Sequence, residues 1–403
     1  MKFAFKQKKS QVAYSALCIK SGTRNEPEEF AGMAHMTEHM LFKGTDKRSA
    51  SEIGDRLEKL GGELNAYTTK DETVIYSTVL KEDVQKAVDL LFEMAFRSKF
   101  DQKELEKERC VIIDEINMYK DSPSDSIFDD FEERLFRSHS LSRPILGNAK
   151  SLKKIKSEDI KEYVRQNFNP ANMCITIVGN FSQARAERIV CKAMEKFIPA
   201  GVASTERVIP PLEGGPLSAG TFFTKEISKK NHQINCIIGT TAYSFYDDER
   251  MSLILLNNIL GGPSSNSRLN QVLREKNALV YGVDCLYTQY ADTASFLIYF
   301  GCEKANLDRC LELTYAEIEK IRNEILTEKQ LRDAKKQLLG QLAVSADSGE
   351  SQSLSMGKSM LIFGKIMSDD EVRARFNAIT PQQLHDTALK ILAPDRLSRL
   401  IYK

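Results

Sequence analysis

His35-Met36-Thr37-Glu38-His39 places two imidazoles and a carboxylate at positions i, i+3 and i+4, which share one face of a helix. Two neutral imidazoles one turn apart grip a single zinc ion at about 2.0–2.1 Å each. A carboxylate beside them that does not bind the metal is placed to take a proton from a metal-bound water. The flanking residues also read as helix. Pro27 and the acids Glu28 and Glu29 suit a helix start, and Gly44 stands where a C-terminal glycine belongs. Met33, Met36, Met40 and Leu41 keep helical apolar spacing. A His pair of this kind on its own also fits a solvated helix face, so the rest of the chain must decide.

Working outward, the helix opens a recurring order of elements. Before it, Val12–Ile19 is extended. After it come a short helix with Ile53, Leu57 and Leu60 on one face, then a hairpin from Leu64–Thr69 and Thr73–Val79 turning at Lys70-Asp71-Glu72. Helices follow at about 82–97 and 101–120. The second half repeats the plan: an extended Gln233–Gly239, helices at about 247–260 and 267–275, a hairpin from Leu279–Tyr287 and Ala294–Gly301, and helices at about 305–323 and 327–345. Pro199, Pro210, Pro211 and Pro216 lie together with Gly201, Gly214, Gly215 and Gly220 between the halves. The expected division is 1–198 for a metal-bearing domain, 199–220 for a linker and 221–403 for a homologous metal-free domain. The fold class is α+β, a duplicated unit of mostly antiparallel sheet packed with helices. The second half lacks a His-x-x-Glu-His, so at most one half keeps the metal.

The 403 residues carry a formal net charge of +1, with 42% hydrophobic and 28% charged residues. That balance gives no reason to expect nucleic acid or a membrane as partner. No uncharged apolar run approaches the ~20 residues of a membrane span, and the Lys-rich start does not resemble a secretory signal, so a cytoplasmic location is expected. Eight scattered cysteines form no Cys-x-x-Cys pair and read as buried hydrophobes in a reducing compartment.

A catalytic zinc usually takes three protein ligands, so one more is needed. The helix Asp101–Lys120 offers Glu108 and Glu115, two turns apart on one face. Glu115 stands among Val111, Ile112, Ile116 and Met118, an apolar stripe in which a carboxylate is costly without a cation. Glu108 suits an outer position that orients a ligand. Both also fit the solvated face of a Glu/Lys-rich helix.

The sequence resembles the pitrilysin-type inverzincin zinc peptidases, in the short-chain branch of the mitochondrial processing peptidase and its bacterial relatives. Besides His35–His39, the residues that carry the likeness are Leu41-Phe42-Lys43-Gly44-Thr45, Gly62-Glu63-Leu64-Asn65-Ala66-Tyr67-Thr68, Asp71-Glu72-Thr73, His139–Gly147 and Asn167–Met173 with Val178-Gly179-Asn180-Phe181. In the second half they are Arg268-Leu269, Leu273-Arg274-Glu275-Lys276 and Leu279-Val280-Tyr281. The resemblance implies zinc held by His35, His39 and Glu115, with Glu108 behind them and Glu38 as the base. It implies that unfolded or presequence-like peptides bind along Asn65, Ala66 and Tyr67 and are held by Arg274 and Tyr281. It also implies a homodimer. The alternatives are a subunit of a hetero-oligomeric peptidase or a non-catalytic, substrate-gathering scaffold. Thr37 stands where the family often has an apolar residue, the stretch before Val12 is short, and His139 is assigned a structural role.

Overall fold

The computed structural model describes residues 1–199, 201, 206–229 and 232–403. They form two compact units. The first comprises Met1–Asn117, Arg143–Val208 and Ala343–Ile366; the second comprises Met118–Ser142, Ile209–Leu342 and Met367–Lys403. The units are therefore not the contiguous stretches 1–198 and 221–403, because each takes a segment from the other half of the sequence. Of the expected linker 199–220, positions 200 and 202–205 lie outside the described residues.

The first unit is built on strands β1 (Lys2–Gln7), β2 (Val12–Ile19), β3 (Glu63–Thr68), β4 (Thr73–Leu80) and β5 (Met173–Gly179), in the order β1-β5-β2-β4-β3. Only β1 and β5 run parallel. The short start of the chain thus supplies an edge strand that the sequence reading did not include. β5 (Met-Cys-Ile-Thr-Ile-Val-Gly) is buried along its whole length, as a strand covered on both faces must be. One face carries α1 (Met33–Leu41), α2 (Ala50–Glu58), α3 (Val84–Arg97) and the buried side of α4 (Gln102–Lys120), around a core that includes Met36, Met40, Leu57, Phe92 and Ile112. The other face carries the exchanged helix Gly349–Phe363, which lies on β2 and β5. Gly349 abuts the Tyr14 ring and Gly357 abuts Cys18, leaving no room for a side chain at either position. Thr176 and Ser353 share a buried hydroxyl contact of 2.8 Å across this packing.

The second unit repeats the architecture. Its strands are β6 (Thr224–Ile227), β7 (Ile234–Thr241), β8 (Val280–Gln289), β9 (Ala294–Cys302) and β10 (Ser398–Tyr402), in the order β6-β10-β7-β9-β8, with β6 and β10 parallel. The helix expected at about 247–260 runs over Arg250–Gly261. The short helix expected at 267–275 contains a π-helical turn, Asn270–Glu275. The exchanged element here is α5 (Pro123–Leu135), which packs on β7 and β10; Tyr402 donates its hydroxyl to Asp130 at 2.5 Å and Ser295 donates to Glu132 at 3.0 Å. Six cysteines are buried, Cys110 and Cys191 are exposed, and all eight are free thiols. Among the described residues, no helix is long and apolar enough to cross a membrane.

Candidate metal centre

The histidine helix starts later than its sequence indicates. Glu28–Phe30 forms a separate 3-10 turn, Gly32 takes φ +94°, and α1 begins at Met33. A side chain at Gly32 would sit 2.8 Å from the Leu146 carbonyl oxygen, so glycine suits both the left-handed backbone and the close approach. The acid serving the helix N-terminus is Glu26, not Glu28 or Glu29. Its Oε2 accepts the Gly32 N–H at 3.0 Å and its Oε1 accepts the Ala34 N–H at 2.7 Å. These bonds satisfy donors that a helix start leaves open, and the carboxylate faces the positive end of the helix dipole. Burial pushes the Glu26 carboxyl up to about 8 against the opposing pull of those two N–H groups.

Met33, Ala34, Met36, Met40 and Leu41 anchor α1 in the core. That leaves His35, Glu38 and His39 on the side that meets α4. The His35 and His39 ring centroids are 4.7 Å apart, and their Nε2 atoms lie 3.9 and 3.8 Å from Glu115 Oε2. One donor atom from each of these three residues falls within 4.8 Å of the others, and this is the group of metal-ligand type found among the described residues. Behind them, Glu108 Oε2 lies 3.0 Å from His39 Nδ1, and Lys43 Nζ donates to Glu108 Oε1 at 2.8 Å. This directs His39 Nε2 toward Glu115. Burial would raise the Glu108 carboxyl, but its bonds to Lys43 and His39 outweigh burial and hold it below the usual range. Burial, and then the neighbouring His39, push the His35 imidazole down to about 4, which keeps it neutral as a metal donor must be.

The residues fit a metal ion. The donors converge and one ring is oriented by a carboxylate; His35 Nδ1 is buried without a hydrogen-bond partner, and its Nε2 is the nitrogen that faces Glu115. The Glu115 oxygen lies 3.8 and 3.9 Å from the two Nε2 atoms and all three donors fall within 4.8 Å, against ~3.4 Å between two ligands of one tetrahedral ion. The Glu115 side chain is 37% exposed, so it borders solvent rather than the packed core.

Two sequence expectations on α4 change places. Val111 and Met118 are exposed, so Glu115 does not lie in a buried apolar stripe; the buried side is Leu105, Glu108, Ile112 and Ile116. Glu108, which by sequence also fitted a solvated face, is 6% exposed.

Glu38 is half-buried beside His39, and Thr68 Oγ1 donates to its Oε2 at 2.6 Å. Burial raises the Glu38 carboxyl, and the Thr68 bond opposes that rise. Thr68 ends β3, the free edge of the first sheet, which packs on α1. Of the residues assigned to peptide binding on that strand, Asn65 is exposed and Ala66 is half-buried. Tyr67 turns to the opposite sheet face, with its ring 6.2 Å from Tyr76 and its hydroxyl donating to Glu72 at 3.5 Å. Thr69 N–H bonds the Glu72 carbonyl, so by antiparallel alternation the backbone groups facing the free edge belong to Leu64, Ala66 and Thr68. Tyr67 thus offers the edge neither its ring nor its main chain.

Arg274 and Tyr281 belong to the second unit, where the guanidinium lies 5.9 Å from the phenol ring centroid and Tyr281 is 93% exposed. Glu26, Thr68 and Lys43 were not singled out from sequence. Lys43 follows His39 by one turn and Thr68 shares the strand face of Ala66, so both were within reach of periodicity; Glu26, across a loop, was not.

The model of the insulinase family of peptidases, M16, matches residues 2–149, and that of the M16 inactive domain matches residues 154–338. An uncharacterized zinc protease of Bacillus subtilis, YmxG, is 32% identical over 95% of this chain and 91% of its own length. Another from Streptomyces coelicolor is 31% identical over 92% of this chain and 80% of its own length. The crystal structure of a protease from Helicobacter pylori superposes with a TM-score of 0.90 at 20% identity, covering 100% of this chain and 96% of that one, a likeness of fold.

Proposed function

The chain belongs to the M16 peptidase family, and from that premise we propose that it is a zinc-dependent endopeptidase of unfolded peptides. The observation that carries this reading is the convergence of His35, His39 and Glu115 donor atoms within 4.8 Å, with Glu38 alongside. His35, His39 and Glu115 would hold the ion. Zinc, when bound, supplies Lewis acidity that acidifies water and polarises a peptide carbonyl.

The chain's own residues do the rest. Glu108, itself held by Lys43, keeps the His39 ring oriented. Glu38 accepts the proton of the attacking water and delivers a proton to the departing amine. The free edge of β3 offers the main-chain groups of Leu64, Ala66 and Thr68 to an extended peptide, which joins the sheet as one more strand. A folded protein rarely presents a free strand, so disordered substrates are favoured. By resemblance, Arg274 and Tyr281, side by side in the second unit, offer a guanidinium and a phenol for a peptide backbone. The intact donor set and base favour this reading over a non-catalytic scaffold.

The test is cleavage of an unstructured, internally quenched peptide by the purified chain, with zinc content measured in parallel. Chelation should abolish cleavage. Glu38→Gln should keep zinc and lose at least about a hundredfold in kcat. Cleavage that survives chelation, or an active Glu38→Gln enzyme, sinks the proposal.

A further inference from the structure

A glutamate side chain has three rotatable bonds, and holding it in one rotamer costs up to about 2 kcal/mol of conformational freedom. A general base works only when an oxygen faces the proton it must take, and a small misplacement costs rate steeply. Glu38 therefore needs something that fixes its carboxylate. The helix backbone beneath it does not do so, because it leaves the side-chain torsions free.

The structure supplies that fixture at Thr68. Its hydroxyl donates to Glu38 Oε2 at 2.6 Å, and Thr68 itself is 9% exposed. Its β-branched side chain restricts χ1, so the hydroxyl follows the backbone. That backbone is firmly tied. Thr68 pairs with Thr73 at the end of the hairpin, and the next residue, Thr69, bonds the Glu72 carbonyl through its N–H at 2.8 Å. The Thr69 hydroxyl accepts the N–H groups of Asp71 and Glu72 at 3.2 and 3.1 Å. Outside the turn, Thr23 and Arg24 donate their N–H groups to the Thr69 and Lys70 carbonyls at 3.2 and 3.0 Å, and Arg24 pairs with Asp71 at 2.8 Å.

We propose that Thr68 is the positioning residue for Glu38. It occupies one carboxylate oxygen so that Oε1 is left to act on the water. This rests on the reading of Glu38 as general base. The same residue turns its main-chain N–H and C=O to the free edge of β3, so the strand that registers the peptide and the donor that aims the base are one residue. A hydroxyl retained only to satisfy a buried polar site would affect stability and leave turnover alone.

The experiment compares wild type, Thr68→Val and Thr68→Ser on an unstructured, internally quenched peptide. Each is measured for kcat, KM, zinc content and thermal midpoint. Valine keeps the shape and loses the hydroxyl; serine keeps the hydroxyl and loses the methyl. We expect Thr68→Val to retain zinc and KM within about twofold while kcat falls about tenfold to a hundredfold. Thr68→Ser should recover kcat to within about threefold of wild type. The proposal is overturned if the valine enzyme turns over like wild type, if its defect lies in KM or zinc content, or if activity follows shape, with valine active and serine impaired. A wild-type chain that neither holds zinc nor cleaves the peptide overturns the underlying reading instead.

Discussion

Each unit contains a histidine paired with a carboxylate at 3.0 Å: His39 with Glu108 in the first, His139 with Asp292 in the second. Both acids are buried. The rings differ in their second nitrogen. His139 spends Nδ1 on the Leu141 N–H at 3.2 Å, so the pair fastens its segment to the β8–β9 hairpin. His39 leaves Nε2 facing Glu115, with His35 one turn away. The same chemical pair is a fastener where both nitrogens are used and a ligand mount where one is open. The helix Arg250–Gly261, in the place corresponding to α1, carries neither His nor acid, and its buried side is filled by Leu253, Leu255, Leu256 and Leu260. One sheet architecture therefore accommodates a site or a plain core, depending on a few side chains.

The sharpest way to break this comparison is to neutralise the two acids separately. Glu108→Gln should weaken zinc binding about tenfold to a hundredfold, since a carboxylate behind a ligating imidazole is worth that much. Competition against a chelator of known affinity measures it. Asp292→Asn should leave zinc affinity unchanged and destabilise the fold by about 1–3 kcal/mol, the usual cost of weakening a buried charge-assisted hydrogen bond. Equal zinc loss in both variants would erase the distinction between mount and fastener.

The second test concerns the support beneath α1. The Glu26 carboxyl is raised from 4.5 to about 8 in the folded chain. It therefore binds its proton more tightly folded than unfolded. The stability it contributes is complete below about pH 4.5 and lost as pH rises through about 8. Wild type should lose on the order of 4 kcal/mol relative to Glu26→Gln between about pH 5 and pH 9. Denaturant midpoints across that range decide it. Parallel curves for the two proteins would mean that the Gly32 and Ala34 N–H groups keep Glu26 ionised throughout.

These tests also mark where the sequence was legible. The spacing of His35, Glu38 and His39 is a local signal, so the helix and its polar face could be read directly. The β3–β4 hairpin was equally plain, because alternating residues flank the polar turn at Lys70–Glu72. What failed was non-local. Glu28 and Glu29 look like helix-starting acids, yet Glu26 reaches the N–H groups from across the 3-10 turn. The apolar character of Val111 and Met118 suggested burial for Glu115, whereas tertiary packing buries Glu108's side of α4. The exchange of α5 and Gly349–Phe363 between units leaves no mark in periodicity, because an amphipathic helix does not say which sheet it covers.

The smallest effect compares backbone strain. Among the described residues, each unit has one non-glycine residue at positive φ: Phe100 at 53° just before α4, and Ala278 at 49° just after the turn that carries Arg274. The left-handed backbone costs such residues roughly 1–2 kcal/mol. Phe100 offsets this by burying its ring in the first core. Ala278 has only a methyl group to bury. It is held by its own N–H on the Arg274 carbonyl at 2.9 Å and by the Leu279 N–H on the Leu273 carbonyl, also at 2.9 Å. The strain there is retained by the π-helical turn and the irregular start of β8, which together set Arg274 against Tyr281. Ala278→Gly relieves the strain but loosens the unfolded chain, so the net gain in stability should be about 0.5 kcal/mol. If the strain serves Arg274 and Tyr281, the same variant should lower kcat/KM by about two- to threefold with zinc content unchanged. A glycine enzyme that is more stable and equally active would make this turn a fastener too.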